Sequence, residues 1–266
     1  SMRISVVGNG YVGLATAGGL AGKGHQVVCI DSDPDKVALI NRGKSPIYEK
    51  NLDEMVVSCV RRSKTLRASG DYSDILDTAI TFICVGTYSA ACGGTDFTQI
   101  KRASRDVGKV LSQKKGYHVV AVKSTVVPGT TEDTVIPILA KMSKKKIGKD
   151  IGVAVNPEFL EEGRAVDCFL NPYRIIIGEY DKRSGDTVEK LYSGFTAPVV
   201  RTTLTAAEMI KYASNAFLSA KISFINEVGN ICRRLGINIY DVADAMGHDP
   251  RIGRKFLNAG AGFGGS

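Results

Sequence analysis

Ile4-Ser5-Val6-Val7-Gly8-Asn9-Gly10-Tyr11-Val12-Gly13 is the stretch from which the fold of this chain can be read. A strand-length apolar run meets three glycines at GxGxxG spacing, and a helix-forming stretch, Val12–Lys23, opens directly behind them. A second apolar run, Val27–Ile30, ends on the acid Asp31, eighteen residues after Gly13. Each part has a physical task. Gly8 allows a tight turn, Gly10 lets backbone approach a diphosphate, and Gly13 lets helix and strand pack closely. The first helical turn, at Tyr11 and Val12, offers unsatisfied N–H groups and a positive dipole end to phosphate oxygens. Asp31 would accept from ribose hydroxyls and repel a 2′-phosphate, which favours NAD over NADP. Lys36, one turn on, either assists at that ribose or is simply exposed.

The pattern continues outward from this unit. Ile80–Val85, Val119–Val122 and Ile151–Val155 are apolar almost throughout, with Leu66–Ala68 as a weaker candidate strand. Such runs belong to strands covered on both faces. Helical stretches are expected at Asp35–Asn41, Leu52–Arg62, Gln99–Leu111 and Glu132–Met142 between them. A strand at Arg174–Ile177, a helix at Ser184–Ser193 and a short strand at Val199–Arg201 follow. This order predicts an α/β fold: a doubly wound, mostly parallel Rossmann sheet with right-handed crossovers. From Thr205 to Leu235 there is no proline and one glycine, which predicts a single long central helix. Thr205 and Glu208 read as its capping box, and Gly236 as its stop. Ile239–Met246 is a shorter helix, the start of a helical domain. The expected domains are therefore 1–203 for the dinucleotide and 204–266, incomplete, for the helices.

The 266 residues are 44% hydrophobic and 23% charged, ordinary for a globular protein, and no apolar run could span a bilayer. No secretory signal is evident. The six cysteines form no CxxC pair or metal-ligand cluster, so they read as reduced thiols of a cytoplasmic protein with no metal. A net charge of +8 suits anionic ligands. Its densest stretch, Lys141–Lys149, lacks the aromatics that single-stranded nucleic acid would require.

Other segments carry two readings each. Gly86 and Thr87 end one strand, and Ser124 and Thr125 follow another, where ligands of open α/β sheets sit; Thr130 or Thr131 could instead be plain helix caps. In Asn156-Pro157-Glu158-Phe159-Leu160-Glu161-Glu162-Gly163, Asn156 reads as an N-cap and Pro157 as the first helical residue. On that helix Glu158 and Glu162 would share a face, where paired carboxylates can hold a water or share a proton. Lys211 and Asn215, also four apart, could reach an oxygen whose charge changes, or Lys211 could be a snorkelling surface residue. His25, His118 and His248 suggest no base.

Together these segments resemble the nucleotide-sugar 6-dehydrogenases, the UDP-glucose/GDP-mannose dehydrogenase family. The likeness covers Gly8–Gly13, Cys29–Asp31 with Lys36, Gly43–Glu49, Cys84–Thr87, Lys123–Thr131, Asn156–Arg174, Glu208–Val228 and Arg251–Ser266. The closing segments point to the UDP-glucose branch, with GDP-mannose or UDP-N-acetylhexosamine as alternatives. The resemblance implies NAD-dependent, four-electron oxidation of a sugar C6 alcohol to a carboxylate, through a cysteine-bound thiohemiacetal and thioester. It implies cofactor contacts at Gly86, Thr87, Ser124, Thr125 and Glu162, and a catalytic water held by Thr125 and Glu158. It puts Phe159, Leu160 and Glu162 at the substrate, and Lys211 and Asn215 at the developing oxyanion. Phe256, Leu257, Asn258 and the loop to Gly264 would wrap the nucleotide diphosphate, with Arg251 reaching a diphosphate or sugar, within one subunit or across a homodimer built on the central helix. The family's cysteine would follow Ser266, so this stretch alone is expected to be inactive. Tyr88, Lys50-Asn51 and Val126-Val127-Pro128 depart from the family pattern. The β-hydroxyacid dehydrogenases and a non-enzymatic NAD-binding dimerisation module are the rival readings.

Overall fold

The computed structural model describes residues 1–87 and 95–263. Tyr88, Cys92 and Gly264 lie outside them. The elements begin with β1 (Arg3–Val7), α1 (Tyr11–Gly22), β2 (Gln26–Ile30), α2 (Pro34–Asn41), α3 (Leu52–Val57), β3 (Leu66–Ser69), β4 (Ile80–Ile83) and α4 (Thr98–Leu111). They continue with β5 (His118–Val122), α5 (Ile136–Ser143), β6 (Ile151–Val155), α6 (Ala165–Leu170), β7 (Ile175–Glu179), α7 (Lys182–Glu189), β8 (Val199–Thr203), α8 (Leu204–Leu235) and α9 (Ile239–Gly247).

The strands form one sheet in the order β3-β2-β1-β4-β5-β6-β7-β8. Every pairing is parallel except β6 with β7. The central strands β4, β5 and β6 are buried at every position, which is why they read as unbroken apolar runs. The chain winds outward from β1 to β3 and then crosses to β4 on the other side of β1. That reversal opens a crevice at the carboxyl ends of β1 and β4.

Helix α1 is buried from Gly13 to Ala21, with glycines where neighbouring helices approach. A Cβ on Gly19 would sit 2.1 Å from the Phe169 ring of α6, and one on Gly18 would sit 2.9 Å from the Met55 sulfur of α3. Glycine sets both helix–helix distances here.

The chain divides into two compact units, Ser1–Met209 and Ile210–Ser266. In the second, Ile225, Ala243 and Leu257 form a small core joined by Val228, Ile239 and Met246. Gly236, at φ +68°, ends α8, and the Ile237 N–H reaches back to the Cys232 carbonyl at 2.9 Å.

Three local expectations are corrected. Thr205 does not cap α8: the helix already starts at Leu204, and the Thr203 hydroxyl accepts the Ala206 N–H at 3.2 Å. Glu208 instead accepts the N–H groups of Gly129 (2.6 Å) and Thr131 (2.9 Å), far away in sequence. No helix runs through Pro157–Gly163; the chain is irregular there and α6 begins only at Ala165. Glu158 and Glu162 therefore do not share a helix face. Two helices also end or begin in π-helical turns, at Ser58–Arg62 and Thr131–Val135.

Candidate active site

The parallel strands bring four loops to the carboxyl end of the sheet. The Gly8 turn follows β1, Cys84–Thr87 follows β4, Lys123–Thr130 follows β5, and Asn156–Gly163 follows β6. Their backbones continue the ladder: the Cys84 N–H donates to the Val7 carbonyl (2.8 Å), the Lys123 N–H to the Ile83 carbonyl (2.9 Å) and the Asn156 N–H to the Val122 carbonyl (2.9 Å).

Gly8 adopts φ +97°, and a Cβ there would lie 2.9 Å from the Cys84 carbonyl oxygen. A Cβ on Gly13 would fall 1.8 Å from the Gly8 oxygen. Gly10 is different: a Cβ there would meet nothing within 4 Å, so its outer face is open. Helix α1 has no capping side chain and no acid in its first turn, which leaves its first N–H groups for an anion. Asp31 is held towards this turn. One carboxylate oxygen accepts the Asn9 N–H at 2.9 Å, and the other accepts the Asp33 N–H at 3.0 Å. The Asn9 amide and the Tyr11 hydroxyl are buried without hydrogen-bond partners, orphaned polar atoms in the cradle itself. Burial, then the negative charges of Glu158 and Glu49, push the Tyr11 hydroxyl far up, so it remains a neutral donor. This arrangement fits a dinucleotide: open backbone at Gly10 for the diphosphate, and an oriented acid for a ribose. Lys36 lies in the first turn of α2, its backbone N–H bound to the Asp33 cap at 3.3 Å.

The β4 and β5 loops are stitched together. The Ser124 hydroxyl donates to the Val85 carbonyl at 2.7 Å, and the Thr87 hydroxyl to the Thr125 carbonyl at 2.8 Å. Ser124 is buried, whereas Thr125 and Thr87 are half-buried and Gly86 is exposed. On the β6 loop, Glu158, Phe159 and Leu160 are half-buried and Glu162 is exposed. The Glu158 carboxylate accepts the Leu160 N–H at 2.5 Å, and the Arg174 guanidinium lies 4.0 Å from the Phe159 ring centre. Glu158, Phe159, Leu160, Arg174, Lys123 and Asn156 line one pocket.

In the second unit, Lys211 is buried and Asn215 half-buried, one turn apart on α8. Asn226 straps the glycine-rich segment to this helix: its amide donates to the Gly260 carbonyl (3.1 Å) and accepts the Gly260 N–H (2.8 Å). Phe256 stands at φ +64° with its ring 6.2 Å from that of Phe263. The Leu257 side chain is part of the unit's core, Asn258 is exposed, and exposed Arg251 pairs with Asp249 at 2.6 Å.

Several residues that organise the loops have no local signature in the sequence. Buried Glu49 accepts the N–H groups of Gly163 and Ala165, each at 3.0 Å, and so pins the turn after Glu162. Glu208 pins the β5 loop, and burial pushes its carboxyl up. The carboxylate in Gly43–Glu49 is the one hint of such a role for Glu49. Burial also raises the thiols of Cys29, Cys59, Cys84 (to about 12) and Cys168, so these four are protonated and poorly nucleophilic at neutral pH.

Two family models match the chain. The NAD binding domain of the UDP-glucose/GDP-mannose dehydrogenase family covers residues 2–196, and the central domain of the same family covers 205–266. The chain belongs to this family. Residues 2–196 are the family's NAD binding domain, so its cofactor is NAD. It is 43% identical over its whole length to a UDP-glucose 6-dehydrogenase of Haloferax volcanii, covering 62% of that protein. It is 42% identical to a GDP-mannose 6-dehydrogenase of Pseudomonas syringae, covering all of this chain and 61% of that one. A solved UDP-glucose dehydrogenase from Pyrobaculum islandicum superposes with a TM-score of 0.95 at 42% identity, over 100% of this chain and 61% of that one. The chain thus spans about three fifths of the length of these relatives. Among the described residues, no helix is long and apolar enough to cross a membrane.

Proposed function

We propose that this chain is the cofactor half, 1–203, and the beginning of the central helical domain, 204–266, of a cytoplasmic UDP-glucose 6-dehydrogenase. The single observation carrying this reading is the open Gly10 turn with Asp31 held beside it, on a chain that also bears the Asn156–Gly163 and Arg251–Gly262 segments. In the full reaction the C6 alcohol loses two hydrides to two NAD molecules, water supplies the second oxygen, and three protons are released. NAD, when bound, supplies hydride acceptance; the chain's own residues bind, orient and move protons. Asp31 takes the ribose, and the first turn of α1 takes the diphosphate. Thr125 and Glu158 hold the hydrolytic water, with Glu162 beside them. Lys211 and Asn215 stabilise charge developing on the C6 oxygen. Phe159, Leu160, Arg251 and the segment Phe256–Gly264 bind the nucleotide sugar.

The protein would work as a homodimer through α8. That helix exposes Phe217 (67%), Phe224 (53%), Ile231 (57%) and Leu235 (67%), which a second copy would cover. GDP-mannose is the second reading, favoured by the near-equal identity to GDP-mannose dehydrogenases. The test uses the chain extended through its full reading frame. With limiting UDP-glucose it should give two NADH per sugar, with GDP-mannose turned over far more slowly. One NADH per sugar would refute the four-electron reaction, and faster GDP-mannose oxidation would transfer the assignment to the second reading.

A further inference from the structure

Lys123, the residue after β5, is only 3% exposed. Its ammonium donates to the Asn156 carbonyl (3.3 Å), to Asn156 Oδ1 (3.0 Å) and towards the Tyr192 hydroxyl (3.4 Å). The Phe82 ring centre is 5.7 Å away. All these partners are neutral; no carboxylate pairs with Lys123 among the described residues. A buried ammonium compensated only by neutral oxygens is a poor device for stability, because a methionine of similar length would fill the space without desolvating a charge. What it contributes is geometry. Asn156 is where β6 stops and the Glu158 loop begins. Its Oδ1 also accepts the Tyr192 hydroxyl (2.5 Å), and its amide donates to the Ile176 carbonyl (2.9 Å). Pro157, buried and with its φ fixed by the ring, leads from this anchored residue straight to Glu158. Lys123 is itself followed by Ser124 and Thr125, and it lines the same pocket as Glu158.

We propose that Lys123 is a positioning residue: with Tyr192 it locks Asn156, so that the loops carrying Thr125 and Glu158 keep one fixed separation during turnover. This rests on the dehydrogenase reading above. The test compares wild type, Lys123→Met and Tyr192→Phe in the full-length protein, measuring kcat, KM for the nucleotide sugar, and Tm. Lys123→Met should lower kcat about 100-fold, as loss of catalytic alignment does, with KM changed less than about threefold. Its Tm should stay within about 3 °C of wild type or rise. Tyr192→Phe should lower kcat about fivefold with Tm kept, and it decides the matter if Lys123→Met is insoluble. Unchanged kcat in the decisive variant, or kcat that falls only together with Tm, would overturn the inference while leaving the wild-type reaction standing. A wild type that oxidises no nucleotide sugar would overturn the function first, and this inference with it.

Discussion

The two units solve the problem of holding a loop in opposite ways. In Ser1–Met209 the loops leave the buried end of an eight-stranded sheet, and side chains from distant segments tie them down: Glu49 to Gly163 and Ala165, Glu208 to Gly129 and Thr131, Lys123 to Asn156. In Ile210–Ser266 the core cluster among the described residues is Ile225, Ala243 and Leu257, and the Asn226 pair and a bond from Lys221 to the Ile252 carbonyl at 3.0 Å hold the glycine-rich segment. A rigid sheet can carry a pre-shaped cofactor cradle. A small helical unit with an exposed apolar face gains its order from whatever covers it.

The contrast predicts that acid undoes the first unit through its interior. His118 is buried and hydrogen-bonded on both ring nitrogens, to Thr81 Oγ1 (2.8 Å) and the Thr78 carbonyl (3.0 Å), in a network that includes Ser5. Burial holds its pKa down to about 3, against an ordinary 6.5. The folded state binds its proton later than the unfolded one. The stability it contributes is therefore present above pH 6.5 and lost as pH falls towards 3, on the order of 5 kcal/mol at the limit. Urea unfolding of the first unit at pH 7 and pH 4 checks this, and His118→Gln should flatten the dependence. Next in size, Gly13→Val drives a side chain into the Gly8 carbonyl. It should destabilise the first unit by about 3 kcal/mol and abolish NAD binding, read by melting and calorimetry. If NAD still bound with native affinity, the cradle would be elsewhere.

The strands were legible because β4, β5 and β6 are buried on both faces and so carry no alternation to misread. The glycine turn was legible because its sterics are local. Misreadings came where a local signal was outcompeted by a distant partner. Asn156-Pro157-Glu158 spells a helix start, yet Lys123 and Tyr192 take the asparagine side chain that would have capped it. Thr205 and Glu208 spell a capping box, yet Glu208 serves backbone groups 77 and 79 residues away. His118 suggests no base in the sequence, and its structural partners, 37 and 40 residues upstream, leave no local trace there. Which residues of the second unit meet a substrate has no such local grammar: Lys211 and Asn215 were singled out by spacing and by likeness to the family.

Smaller effects sharpen the comparison in the second unit. Asn226→Ala should cost about 1–2 kcal/mol locally, seen as faster amide exchange at Asn258–Gly262 with the first unit's protection untouched. Smallest is Phe217→Ser: its exposed ring should matter less than about 0.5 kcal/mol to folding while weakening self-association in sedimentation.

The central claim is that the Gly10 turn and Asp31 together seat NAD. Titration calorimetry of the chain with NAD and with NADP, in wild type and in Asp31→Ala, tests it most directly. Wild type should bind NAD at least about tenfold more tightly than NADP, and Asp31→Ala should lose about tenfold in NAD affinity and most of that preference. Equal binding of both dinucleotides by wild type, or an Asp31→Ala variant with unaltered NAD affinity, would contradict it.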